Sequence, residues 1–309
     1  MDIVCSTDNN YVQHCCCMLV SFFENNKEGR HSVHVLSEGL EPNLLNQIKD
    51  IVTSYDGCFF YYMVDSDCLK CCPIKATDHL SIATYYRLLI ADLLPHEIKR
   101  VLYLDCDIVV DVPLKELWNT SLTEYALAAV EELGSSAPDV YERLGYDAKY
   151  GYFNAGVLLV NLEYWREKGL TELFFRYMSL HSDKLKAHDQ DILNALLYDK
   201  CLHVSPKWNV EEAFYHYYMI KKWRKRDRHE MISVLFQPFI LHYSWKPKPW
   251  EKLCRHPFRL KYFKYLNKTA IFADKKLSFA ERLLAHYDKW YLKMLIRLGV
   301  KGHRFYKLE

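Results

Sequence analysis

Residues 100–111 read RVLYLDCDIVVD. The apolar run over residues 100–104 has the length and texture of a buried strand. It ends abruptly in Asp105 and Asp107, with Cys106 alone between them. Two carboxylates this close repel each other unless something cationic sits between them. The plain reading is a solvated strand end followed by a turn. The chemical reading asks what else in the chain would supply, or hold, that cation.

Outward from this stretch, the first half of the chain alternates strand and helix signals. DIVCST (2–7), SVHVLSE (32–38), CFFYYMV (58–64), YALAAVE (125–131) and NAGVLLVNL (154–162) are short apolar runs and read as strands. EPNLLNQIKDIVTS (41–54) has helical spacing with Pro42 near its start. DHLSIATYYRLLIADLLP (78–95) reads as a helix ended by Pro95, and LEYWREKGLTELFFRYMSLH (162–181) and DQDILNALLYD (189–199) as further helices. Such alternation predicts an α/β sheet with helices on its faces. Ligands of open α/β sheets gather at the carboxyl ends of strands. Asp8, Asp105 and Asp107 fall at or just beyond such ends, whereas Asn154 opens a strand-like run.

The chain has 309 residues, 50% hydrophobic and 15% aromatic, enough for one large domain or a domain with an appendage. A net charge of +2 gives no ground for a nucleic-acid partner. The charge is unevenly spread: residues 251–309 carry fifteen Lys and Arg against five Asp and Glu. There, SFAERLLAHYDKWYLKMLIRL (278–298) places Ala280, Leu284, Tyr287, Tyr291, Leu295 and Leu298 on one helical face, with Arg282, Lys289, Lys293 and Arg297 opposite. Eleven cysteines at irregular spacing, and a start (MDIVCST) that is already strand-like, lead us to expect no signal peptide and free thiols in a reducing cytosol. Cys68, Cys71 and Cys72 lack the second Cys/His pair of a zinc site. No apolar run reaches the roughly 18 residues of a membrane span.

Two chemistries use such an aspartate pair. In a haloacid-dehalogenase-type phosphatase, Asp105 would be the nucleophile and Asp107 the acid/base. That reading also needs a downstream acidic cluster (DD or GDxxxD), which is missing. In the other, the pair holds Mn²⁺ or Mg²⁺ through hard oxygen ligands, and the ion bridges the phosphates of a nucleotide diphosphate.

Several separated motifs agree with the second. STDNNY (6–11), YYRL (85–88), the aspartate pair, YFNAGVLLVNL (152–162), AHDQDILN (187–194) and LHYSWKPKPW (241–250) together resemble glycosyltransferase family 8. These are retaining enzymes of GT-A fold that include bacterial lipopolysaccharide galactosyl- and glucosyltransferases and, more distantly, glycogenin. The resemblance covers roughly residues 1–250. It implies a GT-A catalytic domain there, with a Rossmann-like mixed sheet flanked by helices, and a helical, basic, aromatic extension over 251–309.

The resemblance also implies roles. Asp8, Asn10 and Tyr11 match the nucleoside pocket, and Arg87 an arginine that reaches donor sugar and phosphates. Asp105, Asp107 and His242 match the metal ligands, with Asp105 also near the ribose. Asn154 matches a donor-sugar contact and Asp189 a carboxylate that binds sugar hydroxyls. Gln190 matches the residue on the face of the anomeric carbon opposite the leaving group. Lys248 matches a diphosphate partner. Many relatives have Gly three residues after the histidine; here Trp245 and Lys246 stand there, so Lys246 is a second candidate for the phosphate contact. On the acceptor side, His79 matches a position in galactosyltransferase relatives, and Glu131 and Glu132 lie near where relatives contact donor or acceptor. Residues 66–80 are expected to form a loop over the donor. AFYHYY (213–218) would stack on sugars or pack in the core.

The implied reaction moves glucose or galactose from a UDP-sugar to a glycan or glycolipid hydroxyl, with Mn²⁺ or Mg²⁺ and retention at the anomeric carbon. Same-face attack is expected, with Asp189 as nucleophile the alternative. The basic tail implies attachment to the anionic inner face of the bacterial cytoplasmic membrane. A non-catalytic glycan-binding protein is the remaining rival.

Overall fold

A computed structural model describes residues 1–65, 69, 72, 81–132, 139–215, 233–269 and 276–297, with residues 295–297 described by backbone alone. The chain divides into two compact units. The first comprises Met1–Cys15, Glu28–Cys106 and Leu114–Ser205, and the second Cys16–Lys27, Asp107–Pro113 and Pro206–Glu309.

The first unit is built on a seven-stranded sheet of β1 (Asp2–Ser6), β2 (Ser32–Ser37), β3 (Cys58–Met63), β4 (Arg100–Leu104), β6 (Leu127–Ala129), β7 (Val157–Asn161) and β8 (Cys201–His203). Their order is β3-β2-β1-β4-β7-β6-β8. β1 runs parallel to both β2 and β4, so the chain reverses its winding between β1 and β4. That is where an α/β sheet opens a crevice at its carboxyl edge. Asp8 and Asp105 follow these two strands. β7 is antiparallel to both β4 and β6, so the sheet is mixed. Val4, Val101, Leu158, Val160, Trp165, Phe174 and Ile192 are among the residues of one apolar core. The Trp165 indole N–H is satisfied by the Ala126 carbonyl at 3.0 Å.

The helices are α1 (Val12–Asn25), α2 (Pro42–Ser54), α3 (Ile90–Leu93), α4 (Lys115–Trp118), α5 (Val140–Leu144), α6 (Leu162–Glu167), α7 (Leu170–Leu180), α8 (His188–Leu197), α9 (Arg259–Leu266) and α10 (Phe279–Arg297). Four features depart from the sequence reading. Helix α1 is not anticipated, because its HCCCMLVSFF stretch has no polar face to reveal a period; it is buried nearly all round. The helix expected through Pro95 is a 3₁₀ helix over Ile82–Leu89 before α3 begins, with Ser81 Oγ accepting from the Ala83 N–H. The single helix expected over 162–181 breaks at Gly169, whose φ of +56° lies in the left-handed region. The run that Asn154 opens does not become extended until Val157.

In the second unit a three-stranded sheet has the order β5-β10-β9, from β5 (Ile108–Val110), β9 (Val210–Glu211) and β10 (Ile240–His242). β5 and β10 are antiparallel, β9 and β10 parallel. Its aromatic packing includes Trp208 on Phe239 and Tyr262 against both Tyr243 and Trp250.

The C-terminal helix α10 exists as expected, but the face it buries is different. Ala285, Asp288 and Leu292 are buried, whereas Tyr287 and Leu284 of the expected apolar face are exposed. Charge sets this rotation. Arg255 binds both Asp288 carboxylate oxygens at 2.8 and 2.5 Å, and Arg259 meets Glu281 at 3.1 Å. Phe279, Leu283, Tyr287 and Trp290 are left outward, 49–79% exposed.

The nine cysteines among the described residues are free thiols. Cys68, Cys71 and His79 lie outside the described residues, as does all of 66–80 except Leu69 and Cys72.

Candidate active site

In the first unit, the end of β4 carries Asp105 into a buried ion cluster. The Asp105 N–H donates to Gly156 O at 2.9 Å, which ties the strand end to the Asn154–Gly156 turn. Arg87 and the Tyr103 hydroxyl both donate to Asp105 Oδ1, at 2.9 and 3.0 Å. Arg87 also meets Asp189 Oδ2 through Nε at 2.8 Å and Ala155 O through Nη1 at 2.5 Å, with its guanidinium 4.4 Å from the Tyr103 ring centroid. Thr84 Oγ1 donates to Asp189 Oδ1 at 2.5 Å. Thr84 and Arg87 reach one carboxylate together because the 3₁₀ helix places residues i and i+3 in line. Burial disfavours the charge on Arg87, but Asp105 and Asp189 outweigh it and raise its pKa. Burial pushes the Asp189 carboxyl up, against the pull of Arg87 and Thr84.

Helix α8 delivers Asp189 and Gln190, and Asp191 anchors its start. Asp191 accepts from Arg143 at 2.7 Å, the Tyr152 hydroxyl at 2.9 Å, and the N–H groups of Lys186 and Ala187 at 2.7 and 2.8 Å. The two aspartates of this motif therefore do different things: Asp191 secures the helix N-terminus, and Asp189 faces Arg87. Gln190 is fixed at both ends. Its Oε1 accepts from the Ala155 N–H at 2.9 Å, and its Nε2 donates to Glu132 Oε2 at 2.5 Å. The same Glu132 oxygen lies 3.4 Å from Asn154 Nδ2. Of the neighbouring acids, Glu132 joins this cluster. Glu131 pairs with Phe153 in an isolated bridge, its side chain lying over Gly151.

Asp8 sits at the entry to α1. Its Oδ1 accepts from the N–H groups of Asn10 and Tyr11 at 2.9 and 3.1 Å. The Tyr11 ring stands edge-on to His14, 5.2 Å between centroids.

In the second unit, antiparallel pairing of His242 with Ile108 and a Tyr243 N–H bond to Asp107 O (3.0 Å) set His242 beside Asp107. His242 Nε2 lies 3.3 Å from Asp107 Oδ1, and Lys248 Nζ 2.7 Å from Oδ2. Lys248 Nζ also donates to the carbonyls of Tyr243 (2.5 Å) and Ser244 (3.0 Å). Lys246 is exposed, so it is Lys248 that this unit places on the aspartate. Burial would push Asp107 towards the neutral acid, but Lys248 and His242 hold its pKa well below the usual carboxylate range. His242 Nδ1 is 3.0 Å from Asn209 Oδ1, an acceptor, which places a ring proton on Nδ1. Nε2 is the ring nitrogen turned towards Asp107, and either a proton or a metal cation on it lets the two groups meet. A neutral imidazole and carboxylate oxygens form a donor set that suits Mn²⁺.

Behind this cluster, Glu212 Oε2 accepts from Ser244 Oγ at 3.0 Å and from the Trp245 N–H at 3.1 Å. Burial pushes the Glu212 carboxyl up to about 7, with Lys248 opposing. Sequence reading misses Glu212, Asn209, Thr84, Tyr103 and Arg143. Glu212, Asn209, Thr84 and Arg143 act through partners remote in sequence, and Tyr103 through Asp105 two residues on.

The model of the family described as Glycosyl transferase family 8 matches residues 2–254. General stress protein A of Bacillus subtilis (strain 168) is 30% identical over 276 residues, covering 87% of this chain and 94% of its own. A lipopolysaccharide 1,2-glucosyltransferase of Escherichia coli is 32% identical over 253 residues, covering 79% and 71%. The crystal structure of galactosyltransferase LgtC in complex with donor and acceptor sugar analogs superposes with a TM-score of 0.79 at 24% identity, covering 92% of this chain and all of that one. The fold is thus of the GT-A type, with a mixed sheet and flanking helices, as the sequence reading expects. With the family model spanning most of its length, the chain belongs to glycosyl transferase family 8.

Proposed function

We propose that the protein transfers glucose or galactose from a UDP-sugar to a hydroxyl of a glycan or glycolipid acceptor, with retention at the anomeric carbon and a requirement for Mn²⁺ or Mg²⁺. The observation that carries this reading is the buried Asp107–His242–Lys248 cluster, whose aspartate is two residues along the chain from Asp105. The proposed ligand set is Asp105, Asp107 and His242. A cation held there supplies charge stabilisation for the departing diphosphate. Relatives named as lipopolysaccharide glucosyl- and galactosyltransferases support lipopolysaccharide or another cell-surface polysaccharide as acceptor.

In this reading Asp8, Asn10 and Tyr11 take the nucleoside, and Asp105 also lies near the ribose. Lys248 offsets charge on the leaving phosphate. Arg87, Asn154 and Asp189 hold the hexose, with Glu131 and His79 on the acceptor side. The acceptor hydroxyl attacks from the leaving-group face and passes its proton to the departing phosphate oxygen. Gln190 shelters the opposite face of the oxocarbenium-like centre. Both Asp189 oxygens are engaged, by Thr84 and Arg87, which disfavours that carboxylate as the nucleophile of a double displacement.

Gln190→Ala is expected to lower kcat by at least about 100-fold while leaving UDP affinity within about twofold, because the amide is tied to Ala155 and Glu132 and to none of the proposed metal, nucleoside or diphosphate ligands. Steady-state kinetics alongside UDP titration checks this; equal losses in both would mean a binding role only. The reaction class itself is tested by Mn²⁺-stimulated hydrolysis of UDP-glucose or UDP-galactose without acceptor. Release of phosphate from sugar phosphates with no UDP-sugar requirement would instead return the phosphatase reading.

Residues 251–309 are proposed to hold the protein to the inner face of the cytoplasmic membrane. No helix among the described residues is long and apolar enough to cross one. The outward stripe of Phe279, Leu283, Tyr287 and Trp290, in a strongly basic segment, suits the headgroup zone of an anionic bilayer. In co-sedimentation with vesicles containing phosphatidylglycerol, the double variant Leu283→Ala/Trp290→Ala is expected to bind at least about fivefold more weakly than wild type. Binding unchanged by that substitution would refute the role of this face.

A further inference from the structure

We infer that Glu212 is the positioning residue that keeps Lys248 seated for the diphosphate, by anchoring the Tyr243–Lys248 loop from beneath. The inference rests on the proposed reading of Lys248 as a phosphate partner. Glu212 directly follows β9, whose parallel register pairs Glu211 with His242. One step further along both strands brings Glu212 level with Tyr243 and the start of the loop. Its side chain is 2% exposed, and one oxygen takes both the Ser244 hydroxyl and the Trp245 N–H. Its other oxygen is buried and accepts no hydrogen bond from the described residues.

These contacts fix the backbone whose carbonyls, Tyr243 O and Ser244 O, receive the Lys248 ammonium. The ammonium group is thereby held on Asp107 at 2.7 Å by a chain of contacts beginning at Glu212. An acid is an expensive way to fill a dry site if packing alone is needed. An acceptor that takes two loop donors at one atom is what the loop conformation requires. A glutamine can serve the same two donors through its amide oxygen, whereas an alanine takes this acceptor away from both.

The test is calorimetric titration of UDP in Mn²⁺ with the full chain and the variants Glu212→Ala, Glu212→Gln, Ser244→Ala, Lys248→Ala, Glu212→Ala/Lys248→Ala and Ser244→Ala/Lys248→Ala. Glu212→Ala is expected to weaken UDP binding about tenfold, Ser244→Ala about threefold, and Glu212→Gln less than threefold. In the Lys248→Ala background the alanine substitutions at 212 and 244 should cost nothing further, because their effect passes through the lysine. A purely structural role predicts the same loss in both backgrounds, and that result would overturn the inference, as would wild-type affinity in Glu212→Ala. If Glu212→Ala does not fold, the Ser244→Ala pair decides by the same comparison. A wild-type chain that binds no UDP would remove the reading of Lys248 and the inference with it; wild-type binding with additive losses would remove the inference alone.

Discussion

Asp107→Ala should abolish sugar transfer, by a factor of at least about 1,000, and with it the dependence of UDP binding on Mn²⁺. The residue is mostly buried and is the shared partner of Lys248 and His242. Its removal takes away a proposed metal ligand and leaves the Lys248 ammonium group without its carboxylate. Burial alone would drive Asp107 to protonate, yet its neighbours hold it ionised, so cations stabilise this carboxylate strongly. Asp107→Asn keeps the shape and loses the charge. It is expected to fail nearly as badly, which separates electrostatics from packing. Turnover measured with UDP-sugar across a Mn²⁺ titration checks both variants. Near wild-type turnover in chelator-treated buffer would defeat the metal requirement.

Arg87→Met should damage both stability and activity. Arg87 is 5% exposed and connects Asp105, Asp189 and the Ala155 carbonyl. Methionine fills similar volume but strands two carboxylates around a dry cavity. Breaking a buried pair by removing one partner typically costs about 3–5 kcal/mol. For a chain of this size that corresponds to a melting temperature lower by roughly 6 °C or more. Adding Asp189→Asn should restore part of the stability, because the second substitution removes one of the uncompensated charges. Transfer should stay at least about 100-fold down in both variants, since the carboxylate–guanidinium pair proposed to hold the hexose is gone. Differential scanning calorimetry and turnover on the same preparations distinguish the two effects. A double variant less stable than Arg87→Met would mean that the carboxylates are not what Arg87 offsets.

The parts of this architecture legible in the sequence are those written in local patterns. β1, β2, β4 and β7 are apolar runs with β-branched residues, β3 is an aromatic run, and α2 carries its proline at the first turn. The aspartate pair, the Asp189–Gln190 step and the His242–Lys248 spacing are likewise visible in the chain. What stays hidden depends on contacts remote in sequence. The cysteine-rich α1 has no amphipathic signature because it is covered nearly all round. β5, β9 and β10 have three residues or fewer, too short for a period to show. The 3₁₀ geometry of Ile82–Leu89 accompanies Thr84 and Arg87 sharing one carboxylate, a requirement nothing local announces. The orientation of α10 is set by Asp288 and Glu281 meeting arginines some twenty to thirty residues away, which outweighs the apolar stripe that a helical wheel favours.

The central claim is that Asp105, Asp107 and His242 hold one divalent cation that binds the diphosphate of a UDP-sugar. Anomalous diffraction at the manganese edge, from crystals grown with Mn²⁺ and UDP, tests it most directly. The account predicts a single strong peak within coordination distance of a carboxylate oxygen from each aspartate, of His242 Nε2 and of the diphosphate oxygens. A peak elsewhere, or ordered UDP with no peak among those three side chains, would contradict it.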